Sequence, residues 1–224
     1  MFKNLEWKKY TRSQIISMNA VLCAMVLLFV AIPIQIGPLS LAVIPIIAII
    51  ISAEVLGWLN GMITGLFFGL VSLVGHFIRP GVLSFAFYNP LISVFPRILI
   101  GLFAYLTVKG LTKLFPKMPL LLANAFGAAV GVLTNTVGVL GFTLLFYYGR
   151  ELGTGGSAIG WEWLAGVLLT NSILEIVVCT VVTPPVVLAV NKTLSLTAVR
   201  KKTSDKEVAS APRSEVDNAE KDAD

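Results

Sequence analysis

Four polar residues interrupt segments that otherwise read as hydrocarbon-compatible: Arg97, Asn135, Asn171 and Glu175. A guanidinium is a planar fork of donors that grips a carboxylate through two parallel hydrogen bonds. Two amides add donors and acceptors suited to hydroxyl or amide groups. Asn171 and Glu175 are four residues apart, so they share one face of a helix. A cation inside a bilayer costs at least ~2.5 kcal/mol on insertion scales, so such a residue is paired, hydrated or employed. Two readings follow. Arg97 and Glu175 form an internal ion pair with the asparagines as amide glue, or the four groups line a pocket for a polar ligand. The readings are compatible if a ligand replaces part of the pair.

The elements that must position these groups are membrane spans. The 224-residue chain is 56% hydrophobic and 13% charged, with a mean hydropathy of +0.86. A soluble domain carries about a quarter charged residues. About 20 apolar residues make a transmembrane helix, and six stretches qualify: roughly 14–33, 40–57, 60–77, 90–112, 120–147 and 162–190. The expected fold is an all-α integral membrane protein, six helices in a compact bundle. The net charge is +5, and its basic residues gather before the first span (Lys3, Lys8, Lys9, Arg12), between the fourth and fifth (Lys109, Lys113, Lys117) and after the sixth (Lys192, Arg200, Lys201, Lys202). Basic loops mark the cytoplasm, so both termini are predicted inside, and nucleic-acid binding is excluded. Residues 1–13 form a cytoplasmic N-terminus, 14–192 the membrane domain, and 193–224 a polar tail too poor in large apolar side chains to fold. The first span is too long and continuous for a cleaved signal and is expected to be retained.

Arg97 falls about two turns below the outer surface. Above it lies the aromatic, proline-rich loop from His76 to Pro90, which holds Phe87, Tyr88 and Asn89. These aromatics anchor the interface or form a lid over a pocket, and Gln35 in the first outer loop can reach over the same place. His76 is the sole histidine, without companions for a metal, and reads as an interfacial or capping residue. Glycines at 57, 61, 65 and 69, and again at 127 and 131, promise close helix packing. Asn60-Gly61 reads as a tight inner turn. Ala20 and Ala24 share a face of the first span, for packing within the protein or for a partner's helix. Glu54 reads as snorkelling near the inner end of the second span. Cys23 and Cys179 read as packing residues.

Catalytic signatures are missing. There is no phosphate-binding Gly-x-x-x-x-Gly-Lys-Ser/Thr loop, no His-Glu-x-x-His and no Gly-x-Ser-x-Gly. No enzyme activity, metal or cofactor is expected.

With these residues in view, the chain resembles the substrate-binding S components of energy-coupling factor (ECF) vitamin transporters. The resemblance covers roughly residues 12–192. It rests on six spans in that length, on Ala20-x-x-x-Ala24, on the small-residue-rich third span, and on Asn-Pro-Leu-Ile-Ser-Val-Phe-Pro-Arg-Ile-Leu-Ile-Gly at 89–101. It implies a multi-pass vitamin-binding protein in the cell membrane of a Gram-positive bacterium. The partners implied are a transmembrane coupling protein, met through Ala20 and Ala24, and two cytoplasmic ATPases of the ABC type. It also implies a pocket near the outer face. The Pro-Arg segment looks most like the pantothenate branch, with folate the nearest rival and riboflavin or a pyridoxine-type vitamin further off. A solitary ion-coupled carrier titrating Glu175 is the contrasting possibility from the residues alone.

Overall fold

The computed structural model describes residues 10–32, 35–36, 39–40, 43–81, 83–151 and 158–210. Two compact units divide the chain, 1–187 and 188–224. In chain order the elements are α1 (Arg12–Ala31), β1 (Gln35–Ile36), β2 (Leu39–Ser40), α2 (Val43–Leu56), α3 (Trp58–Ile78), α4 (Ser84–Phe87), α5 (Pro90–Ser93), α6 (Phe95–Leu114), α7 (Leu120–Tyr147), α8 (Trp161–Val167) and α9 (Ile173–Ser210). A π-helical turn, Leu168–Ser172, joins α8 to α9. The two short strands pair antiparallel, Gln35 with Ser40 and Ile36 with Leu39.

Among the described residues, five helical stretches are long and apolar enough to cross a bilayer: Arg12–Ala31, Trp58–Ile78, Pro90–Leu114, Leu120–Tyr147 and Ile173–Thr193. The expected second span is shorter than the other five. α2 has 14 residues, about 21 Å of helix against a hydrocarbon core of about 30 Å. The reason lies in its surroundings. Every residue of α2 except Ile44 is buried, and α1, α3, α6 and α7 pack around it. A helix enclosed by protein need not match the lipid thickness.

That enclosure corrects the expectation for Glu54. It does not snorkel: it is 1% exposed and neither carboxylate oxygen has a hydrogen-bond partner. Nor is Asn60-Gly61 the turn. The chain reverses three residues earlier at Gly57, whose φ of 101° is open to glycine at little cost. Asn60 already lies in α3, where its amide donates to Leu56 O at 2.7 Å and accepts from Asn19 of α1 at 2.7 Å.

The four-residue glycine spacing does what it promised along one face of α3. A Cβ on Gly61 would lie 2.5 Å from Ala53 Cβ; on Gly65, 2.8 Å from the carbonyl carbon of Arg97; on Gly69, 2.7 Å from Val94 Cα. α3 therefore meets α2 and α6 backbone to backbone. Where lipid gives no hydrophobic drive between helices, close van der Waals contact replaces it.

α1 opens with a capping box between Thr11 and Gln14, satisfying two otherwise orphaned amides. Only Val26 of this helix is buried. Ala20 and Ala24 lie on its exposed face. Both cysteines are free, Cys179 buried and Cys23 half-buried. In the second unit the backbone is helical as far as Ser210, beyond Thr193, where the polar tail was expected to begin. The segment between holds neither Gly nor Pro, so nothing breaks the helix. The remainder of that tail, 211–224, and the N-terminal residues 1–9 lie outside the described residues.

Candidate ligand-binding site

The fourth span is not one continuous helix. Asn89 caps α5, its side chain accepting from Leu91 N at 3.0 Å, with Pro90 at the first turn. α6 then restarts at Phe95 with Pro96 in its first turn. Pro96 has no N–H, so Ile92 O, four residues earlier, lacks its usual helical donor. The Arg97 guanidinium fills that gap by donating through Nη1 to Ile92 O. A buried carbonyl that lost its donor is matched by a buried cation that needs acceptors.

The same guanidinium lies 5.5 Å from the Phe68 ring centroid and 5.1 Å from that of Phe87. Cation–π attraction from two rings adds to the hydrogen bond. Arg97 is 6% exposed, and its Nε has no hydrogen-bond partner. The side chain is oriented by α3, α4 and the α5–α6 break, with hydrogen-bonding capacity left over.

That capacity faces a cavity of about 190 Å³. Arg97, Asn135, Glu175 and Phe87, all singled out in the sequence, line it together. Glu175 is buried in the wall of the same cavity. Because Arg97 and Glu175 line the same cavity, the ion-pair reading and the pocket reading concern one place. Asn135 Oδ1 is buried without a hydrogen-bond partner. Thr136, Thr143 and Ser172 add hydroxyls, while Phe68, Val139, Leu140 and Trp163 give apolar walls. The π-helical turn matters locally. Its wider turn, frequent at functional sites, leads from Val167 on one cavity wall to Ser172 and Glu175 on another.

Other expected residues lie elsewhere. Tyr88 is exposed and stacks on Phe77, ring centroids 4.5 Å apart. Asn89 is occupied as the cap of α5. Neither lines the cavity, because consecutive residues of a tight turn diverge and Phe87 takes the inward direction. The side chains of Gln35 and Asn171 lie outside the described residues. Phe68, Trp163, Thr136, Thr143 and Ser172 were not foreseen as lining residues. Phe68 alone had a signal, since it sits beside Gly69 and Gly65 on the helix that packs against Arg97.

The aromatic loop contributes Leu83, Ala86 and Phe87 to the cavity lining and is tied down by several contacts. Phe87 stacks on His76 with centroids 4.4 Å apart and planes 8° apart. Ser84 Oγ accepts from Gly81 N at 2.7 Å and shares a hydrogen bond with His76 Nδ1 at 3.0 Å. His76 thus ties the loop to α3 and braces Phe87 by stacking. On the far edge Arg150 lies 4.0 Å from the Phe85 centroid, and Tyr147 donates to Phe85 O at 3.3 Å.

Fold and cavity define a class: a helical protein with bilayer-length apolar helices and a small cavity lined by polar and apolar side chains. The family profile described as ECF transporter, substrate-specific component, matches residues 15–187, and the chain belongs to that family. It is 30% identical over 161 residues to the pantothenic acid transporter PanT of Lactococcus lactis subsp. cremoris, covering 64% of this chain and 74% of that protein. It is 32% identical over 166 residues to the pantothenate transporter PanT of Leuconostoc mesenteroides subsp. mesenteroides, covering 69% of this chain and 80% of that protein.

Proposed function

We propose that this protein captures pantothenate at the outer side of a Gram-positive cell membrane and delivers it through an ATP-driven ECF complex. The observation that carries the reading is a buried donor and a buried acceptor left over in one cavity, Arg97 Nε and Asn135 Oδ1. Pantothenate bears one carboxylate, one amide and two hydroxyls. Its carboxylate suits Arg97, its amide N–H suits Asn135 Oδ1, and its hydroxyls suit Glu175, Thr136 and Ser172. The relatives named for pantothenate transport support the same ligand.

In this reading α2 completes a six-helix membrane domain, 14–192, with both termini and the tail in the cytoplasm. ATP hydrolysis belongs to the partner ATPases, and Ala20 and Ala24 meet the coupling protein. Calorimetry with purified protein tests the ligand: saturable one-to-one binding of pantothenate is expected, and tighter binding of folate, riboflavin or pyridoxine would overturn the assignment. Uptake should vanish in cells lacking the coupling protein and ATPases. Persistent uptake would instead support a solitary carrier.

Phe87→Ala should weaken pantothenate binding about two- to thirtyfold, the loss of one cation–π contact worth roughly 0.5–2 kcal/mol. Titrations of the variant beside the native protein check this, and unchanged affinity would remove Phe87 from the site. Ala24→Trp should block uptake yet leave the affinity of the isolated protein unchanged, because the residue is on the free face of α1. Loss of binding in that variant would assign the alanine a role within the protein.

A further inference from the structure

We propose that the connection between α6 and α7 is a binding site for an anionic phospholipid. An open groove of about 740 Å³ is lined there by Leu111, Leu114, Phe115, Lys117, Met118 and Phe126. Its apolar rim is bare: Leu114 is 71% exposed and Phe115 54%. Lys117 stands in the groove and Lys113 in the last turn of α6. The sequence has no Asp or Glu between Glu54 and Glu151, so these cations have no acidic neighbour along the connected helices.

An acyl chain needs an apolar trough, and a phosphate headgroup needs cations at one end of it. The groove supplies both at the end of two helices long enough to cross a bilayer, the level at which hydrocarbon meets headgroup. It also continues the exposed apolar surface of Leu106, Leu122 and Leu133 along α6 and α7, the surface expected to face lipid. α1, which carries Ala20 and Ala24, packs instead on α2 and α3. The occupant the groove fits is lipid.

The test is native mass spectrometry of the purified protein with equimolar phosphatidylglycerol and phosphatidylcholine. Preferential retention of phosphatidylglycerol is expected, falling roughly fivefold with each of Lys113→Gln and Lys117→Gln. Phe126→Ala should lower retention of both lipids alike, and soluble glycerol phosphate should displace neither. Equal retention of the two lipids, or an unchanged preference in the double lysine variant, would overturn the proposal. So would cross-linking of Lys117→Cys to the coupling protein in membranes without loss of bound lipid from the complex. Pantothenate affinity, read in parallel, should not change in the lysine variants.

Discussion

Arg97→Ala is expected to weaken pantothenate binding about 30- to 1,000-fold, a loss of ~2–4 kcal/mol, in protein that still inserts and purifies. The size follows from the surroundings. The guanidinium is almost fully buried, so little water competes for the ligand carboxylate. It is held by Ile92 O and two aromatic rings, so little entropy is lost in orienting it. The substitution also strands Ile92 O, at a cost of about 1–3 kcal/mol in stability. Thermal unfolding without ligand separates the two effects. Arg97→Lys should recover little, since one ammonium cannot reach the carbonyl, face both rings and grip a carboxylate in a fork. Near-normal binding by Arg97→Ala would show that the carboxylate is held elsewhere.

Gly65→Ala is the second large effect, and it acts through backbone. The added methyl would run into Arg97 O, with the carbonyl carbon 2.8 Å and Ile98 Cα 3.2 Å away. No flexible side chain can give way, so α3 and α6 must separate. Overpacking of this kind costs about 1–3 kcal/mol, and it displaces Arg97, the residue proposed to grip the ligand. A lower melting temperature and weaker pantothenate binding should appear together. Gly110→Ala is the control: nothing lies within 4 Å of a Cβ there, so stability should hold or rise by helix propensity. A Gly65→Ala protein with native stability and affinity would mean that the α3–α6 contact tolerates separation.

Much of this was legible in the chain. Hydrophobic length located the five bilayer-length stretches, because transfer into lipid sums over residues along each segment. The third-span glycines announced a close contact, since residues four apart share a helix face. Arg97 announced itself by the expense of its charge.

The rest depended on how the helices turn toward each other. The sequence by itself determined that Arg97, Asn135 and Glu175 lie within apolar segments. Only the tertiary structure decided that all three face one cavity and that Phe68, Trp163 and Thr136 join them there. It likewise decided that α2 is sheathed on nearly all sides, which turned Glu54 from a snorkelling residue into a buried one, and that Ala20 and Ala24 are left bare. The physical reason is the nature of the solvent. Lipid and protein interior are equally apolar, so in a membrane helix hydrophobicity sets the length but does not say which face turns inward.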